Sequence, residues 1–431
     1  MQRAFLVLCV LSCVAFSASA EPDVDAAVGS VMPKVIAWRR DLHAHPELGN
    51  RETRTAKLVA DHLRSLKLEV RTGVAHTGVV GVLRGGRPGP VIAIRADMDA
   101  LPVTEQVDVP FKSLVRTEYR GEQVGVMHAC GHDGHTAILM GVAQVLASMR
   151  AQLPGTVVFV FQPAEEGAPD GEEGGSKLML RENALDPRPE AMFGLHLWAT
   201  IGVGDIGYRL GPVMAGSDTF RMVVTGRQTH GGQPWRGVDP IVTAAQIITS
   251  MQTVVSRQTD ITQTPVVVTV GAIEGGIRNN IIPESVEMLG TIRTYDPTVR
   301  EKTIERVRNI AEHVALANGA TAAFEIQGSN VPLVSNPALT ARMLPSLQRA
   351  AGAEHVREIP YITAAEDFGA FAQAVPSLYF FVGTTPAGED LATVSSNHSP
   401  RFYMDEQALD IGLRAMLAVA LDYLTGKAPS P

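Results

Sequence analysis

Between residues 220 and 326 the chain runs through a strand (220–225), a helix (239–257), two strands (265–273 and 285–294), a helix (298–318) and a last strand (320–326). Few folds accept that order. A βαββαβ succession closes as a ferredoxin-like α+β sandwich, a compact unit with its own core. The flanking sequence has a different grammar. Residues 31–70 are mostly helical, the β-rich runs 78–83 and 91–95 follow, then a helix from His135 to about Ala151 and a wholly apolar strand at 157–161. After about Val331 the pattern returns, with a strand at 377–383 and a closing helix at 404–423. Apolar runs alternating with helices indicate an α/β sheet covered on both faces. The expected architecture is one α/β domain, residues 21–213 and 331–431, interrupted by an α+β domain at 214–330. At 431 residues and 45% hydrophobic content, two cores are the natural expectation.

The first twenty residues read as an export signal. Met1-Gln2-Arg3 is positive, residues 4–16 are apolar but too short to span a bilayer, and Ala18-Ser19-Ala20 is a small-x-small cleavage site. Cleavage after Ala20 predicts an exported, periplasmic or secreted protein. A lipidated Cys13 is the minor alternative, because Leu11 fits a lipobox poorly. A net charge of -8, with no Lys/Arg cluster, argues against nucleic acid and anionic membranes as partners.

Cleavage also leaves Cys130 as the only cysteine of three, so it has no internal disulfide partner. It lies in His128-Ala129-Cys130-Gly131-His132-Asp133-Gly134-His135, which gathers a thiol and three imidazoles. Cys130 and His132 can share a metal centre if the segment turns, as Gly131 and Gly134 favour. Downstream, the strand ending at Phe161 runs into Gln162-Pro163-Ala164-Glu165-Glu166-Gly167. Adjacent carboxylates repel unless a cation intervenes or one holds a proton, which suits a metal ligand beside a general base. His196 after an apolar run and His398 in Asn397-His398-Ser399-Pro400 add imidazoles. Taken singly, each has an ordinary structural explanation. Their coincidence at strand ends of one sheet points to a metal site, where α/β sheets hold their ligands. Sulfur, nitrogen and oxygen donors together suit zinc, and manganese, nickel and cobalt also accept them.

In these residues the chain resembles the dinuclear metal-dependent aminoacylases and carboxypeptidases, in the amidohydrolase branch with hippurate hydrolase and the plant auxin-conjugate hydrolases. The resemblance covers nearly the whole mature chain. It runs through Trp38-Arg39-Arg40-Asp41-Leu42-His43-Ala44-His45-Pro46-Glu47, Arg95-Ala96-Asp97-Met98-Asp99-Ala100-Leu101-Pro102, the Cys130 segment, residues 162–167 and 194–198, Arg278-Asn279-Asn280-Ile281-Ile282-Pro283, Ala365-Glu366-Asp367-Phe368 and His398-Ser399-Pro400.

That resemblance implies a zinc-peptidase-like catalytic domain holding two divalent metal ions per subunit, with Cys130, His132, Glu166, His196 and His398 as ligands and Cys130 as the bridging group. Glu165 matches the general base and Asp99 the acid that tunes the metal site. Asp97 stands where related aminoacylases have a ligating His, as is usual in this branch. The inserted domain matches a lid through which the family forms homodimers. His230 matches the residue that polarises the substrate carbonyl from the opposite subunit, and Arg293 and Asn280 match residues that hold the substrate's free carboxylate. Trp235, where a His is common, and the acidic loop at 169–174 depart from the pattern near the substrate pocket. The reaction implied is hydrolysis of the amide bond of an N-acyl or N-aroyl amino acid, or of a short peptide. A dipeptidase or aminopeptidase would need an acid for the substrate ammonium, which the acidic loop could offer. A binding protein on the same fold would have lost Glu165 or a ligand, and neither is lost.

Overall fold

A computed structural model describes residues 24–427. The signal segment 1–20, with Cys9 and Cys13, lies outside the described residues. Eight strands form one mixed sheet in the order Glu69–Val74, Gly78–Arg84, Pro154–Gln162, Arg87–Asp97, Ala191–Gly202, Ser377–Thr385, Ile206–Tyr208 and Val356–Glu358. Its four central strands, 154–162, 87–97, 191–202 and 377–385, run parallel, so their C-terminal ends share one edge.

Both faces of this sheet are covered. Side chains alternate across a strand, and in the strand Pro154–Gln162 this sends Val157, Phe159 and Phe161 into one core and Val158 and Val160 into another. The first core is roofed by the helices Val24–Ala44, Thr53–Ser65, His132–Ser148, Pro337–Ala351 and Gln407–Thr425, the second by Gly175–Arg181 and Gly369–Ala374. Burying each Phe or Val is worth roughly 1.5–3 kcal/mol, which is why the central strands read as unbroken apolar runs.

The chain leaves this domain through the strand Gly211–Met214 and returns through Leu333–Ser335, and the two pair antiparallel. Between them a four-stranded antiparallel sheet has the order Val267–Glu274, Ser285–Thr294, Gly216–Thr225, Thr321–Asn330, the ferredoxin-like arrangement. Helices Pro240–Gln258 and Pro297–Ala317 start where the sequence offers Asp-Pro. Asp239 and Asp296 accept from backbone amides of the first turn, and proline at the first helical position needs no hydrogen-bond partner. They pack on the sheet through Ile247, Met251 and Val307 against Phe220, Met222 and Met288. Exposed Val267 and Ile273 lie on the edge strand, and Ile241, Val242 and Trp235 are also exposed. Among the described residues no helix is long and apolar enough to cross a membrane.

Candidate metal centre

The C-terminal edge of the parallel strands gathers the chemistry. Strand Arg87–Asp97 delivers Asp97 and Asp99, and strand Pro154–Gln162 runs into Glu165 and Glu166. Two expectations need correction. Gly131 alone makes the turn, with φ of 91°, and His132 already begins the helix His132–Ser148, so Gly134 is helical. Its lack of a side chain is a packing requirement, since a Cβ there would sit 2.3 Å from Leu197 Cδ1. His196 lies inside the strand Ala191–Gly202 and not after it, because the apolar run continues through Leu197 to Ala199.

Cys130 Sγ is 3.5 Å from His196 Nε2. His132 Nε2 is 4.0 Å from Glu165 Oε2 and 4.0 Å from Glu166 Oε1, and His398 Nε2 is 2.9 Å from the same Glu166 oxygen. Cys130, His132 and His196 form one group with ligand atoms within 4.8 Å of one another, and Cys130, Glu166 and His398 form a second. The expected metal ligands are thus brought together, with Glu165 beside them. Their orientation comes from behind. His132 Nδ1 donates to the Asp99 carbonyl at 2.8 Å and His196 Nδ1 to the Leu197 carbonyl at 2.9 Å, which turns each Nε2 toward the cluster. Asp99 Oδ2 accepts from Glu166 N at 2.9 Å. His398 adopts φ of 70° in its turn, and its amide donates to the Ala129 carbonyl.

Electrostatics separates the members. Burial pulls the His132 imidazole down, but Asp97, Asp99 and Glu166 outweigh it and raise the group to about 10. Burial, reinforced by His135, holds His196 well below its ordinary value. Burial and then the nearby Glu166 and Glu165 push the Cys130 thiol well up, and burial with Glu366 and Glu166 does the same to the Glu165 carboxyl. Buried His132 Nε2 has no hydrogen-bond partner, although oxygens of Glu165 and Glu166 each lie 4.0 Å away. A buried imidazole nitrogen facing two carboxylates across that distance leaves a gap that a cation can fill. The donor set therefore fits divalent metal.

Two neighbouring groups are explained otherwise. His135 donates from Nδ1 to Asp97 at 2.6 Å and accepts from Leu197 N at Nε2, so both nitrogens are engaged. Glu366 and Asp367 lie beside the buried Arg95, whose guanidinium bonds Asp97 at 2.5 Å, Glu366 at 2.9 Å and Gln162 at 2.8 Å. Asp367 N in turn donates to Glu165 Oε1 at 3.2 Å. The sequence alone assigns no role to Arg95 or Glu366. The available signal was a charge inside an apolar strand, where it must be paired.

The lid residues stand apart. His230, exposed, forms a short ladder with Ile281, and Gly231 N donates to the Asn280 carbonyl at 2.8 Å, which places His230 and Asn280 side by side. Arg293 is half-buried on strand Ser285–Thr294. Among the described residues no hydrogen bond, ion pair or ring contact joins His230 to the Cys130 cluster. A cavity of about 640 Å³ opens beside Glu166, walled by Leu48, Leu101, Pro102, Val115 and Tyr119. The acidic loop borders it, and each of its acids meets an arginine: Asp170 with Arg120 at 2.9 Å, Glu172 with Arg51 at 2.6 Å and Glu173 with Arg181 at 2.5 Å.

The sequence model of peptidase family M20/M25/M40 matches residues 93–422. Among curated proteins, thermostable carboxypeptidase 2 of Saccharolobus solfataricus is 39% identical, with 90% of this chain and 95% of that protein covered. IAA-amino acid hydrolase ILR1-like 2 of Arabidopsis thaliana is 36% identical, over 92% of this chain and 87% of that protein. Among solved structures, the YXEP protein of Bacillus subtilis, described as a dinuclear metal binding peptidase from the M20 family, superposes with a TM-score of 0.76 at 33% identity, covering 92% of this chain and 99% of that one.

Proposed function

The chain belongs to peptidase family M20/M25/M40 and is a hydrolase of amide or peptide bonds, and from that premise we propose that it cleaves the amide bond of N-acyl or N-aroyl amino acids with Glu165 as general base. The observation that carries this reading is the pair of carboxylates 4.0 Å from one imidazole nitrogen, one of them held protonatable by burial.

Cys130, His132, Glu166, His196 and His398 would hold two divalent cations, zinc by the softness of the thiolate. When bound, such cations supply Lewis acidity that lowers the pKa of water and polarises a carbonyl. Glu165 takes the proton of the attacking water. The same carboxyl then returns the proton to the leaving amine. Asp99 keeps the His132 ring and the Glu166 backbone in place. His230, contributed by the lid of a second copy, donates toward the developing oxyanion, while Arg293 and Asn280 receive the free carboxylate. The exposed apolar residues of the lid, on its edge strand and first helix, suit pairing with that copy. The cavity beside Glu166 takes the acyl group, because its walls are largely apolar.

An aminopeptidase reading is less favoured for a specific reason. A substrate ammonium needs an unengaged carboxylate, and the loop acids that could serve each face an arginine.

The test is a substrate screen on metal-loaded protein: acetyl, benzoyl and indole-acetyl amino acids against free dipeptides. Turnover of the acylated set, abolished by chelator and restored by a divalent ion, is expected. Exclusive turnover of free dipeptides would overturn the reading.

A further inference from the structure

Three consecutive residues after the strand Pro154–Gln162 are each pinned by a different group. Glu166 N donates to Asp99, and Glu165 Oε1 accepts from Asp367 N. The third anchor falls on Ala164, whose amide donates to Glu52 Oε1 at 2.8 Å. Glu52 is fully buried, immediately before the helix Thr53–Ser65, and its other oxygen accepts from Thr77 Oγ1. Neither oxygen touches the metal cluster.

Ala164 needs such an anchor. Its φ is 50°, the left-handed region that costs a residue with a Cβ roughly 1–2 kcal/mol. That twist turns the chain from the strand direction so that Glu165 and Glu166 point at one imidazole. The segment before Glu52 is moulded to the same loop. A Cβ on Gly49 would lie 2.5 Å from the Gly167 carbonyl and 3.1 Å from Ala164 Cα, so the two backbones are in direct contact.

We propose that Glu52 is a positioning residue for hydrolysis: through the Ala164 amide it fixes the left-handed turn that sets the general base Glu165 and the ligand Glu166. This rests on the reading of Glu165 and Glu166 given above, but concerns a residue outside the site. What Glu52 supplies is reach, an acceptor at the end of two methylenes, and not charge.

Reach and charge separate in two variants of the full-length protein. Glu52→Gln keeps an acceptor for Ala164 N and a donor for Thr77, while Glu52→Asp keeps the charge but withdraws the acceptor. Zn2+ affinity of the apoprotein, measured by calorimetry, should weaken about tenfold in Glu52→Asp, the scale found for groups behind metal ligands, and stay within about threefold in Glu52→Gln. On the acylated amino acid turned over best, kcat should fall similarly in Glu52→Asp with KM within about threefold, and Glu52→Gln should restore it. Equal or greater damage in Glu52→Gln would overturn the proposal in favour of charge. Near-native Zn2+ affinity and kcat in both, with only a lowered Tm, would reduce Glu52 to packing. If the native protein hydrolyses no acylated substrate, the functional reading falls, and Zn2+ affinity alone decides for or against Glu52.

Discussion

Glu165 and Glu166 are adjacent in sequence and divided by their partners. Glu166 Oε1 already meets His398 at 2.9 Å, whereas Glu165 is held by a single backbone amide among carboxylates. Glu165→Gln should therefore bind the same metal as the native chain while losing about 100 to 10,000-fold in turnover, the share of general acid-base catalysis. Glu166→Gln should lower metal content. Metal analysis beside steady-state kinetics checks both, and the reverse pattern would exchange base and ligand. The cluster's protons give a second test. With the Cys130 thiol raised and His132 at about 10, both hold protons near neutrality in the metal-free protein. Metal binding at pH 7.5 should release at least two protons, since ligands must be deprotonated to bind. Calorimetry in buffers of differing ionisation heat counts them, and Cys130→Ala should lower both the count and the affinity. Metal affinity should accordingly fall as the pH is lowered, because protons compete for the same lone pairs.

At the scale of elements, glycines show how closely the site depends on packing. Alanine in place of helical Gly134 gains up to about 1 kcal/mol of helix propensity, but its Cβ would overlap buried Leu197 and crowd Met404 at 3.1 Å. Overpacking costs about 1–3 kcal/mol, so Gly134→Ala should be destabilising in urea titrations. Gly29, in the helix Val24–Ala44 with nothing within 4 Å of a Cβ, should instead be stabilised by about 0.4–1 kcal/mol on the same change. The same contrast explains what the sequence disclosed. The lid was legible because its helices are amphipathic and open on Asp-Pro, and its strands alternate. The catalytic sheet was legible in order but not in register. A strand buried on both faces is apolar throughout, so nothing marked His196 as mid-strand rather than terminal. The candidate metal cluster was legible because His, Cys and paired Glu are costly where they stand. Glu52, Arg95 and Asp367 were not, because their work is to hold other groups, and that depends on segments distant in sequence, as between Glu52 and Ala164.

The whole molecule raises the question of how His230 reaches the chemistry. It is exposed on the lid, in a short ladder beside Asn280, and no described contact ties it to the cluster on the catalytic sheet. The lid is entered and left through one antiparallel pair, Gly211–Met214 with Leu333–Ser335. The alternatives are closure of a chain on itself or donation of His230 to a second copy through the exposed edge of the lid. They differ in a mixing experiment. If donation operates, inactive His230→Ala and inactive Glu165→Gln chains, co-expressed as heterodimers, should regain activity. One of the two mixed sites then receives both native residues and the other receives neither, so the ceiling is about half the native turnover per dimer, and neither parent approaches it. Different affinity tags on the two chains, with purification through both, isolate the heterodimers, and steady-state kinetics on the best acylated substrate reads the recovery. Heterodimers without recovery would assign His230 to its own chain or to the turn alone, and would remove the second copy from the mechanism.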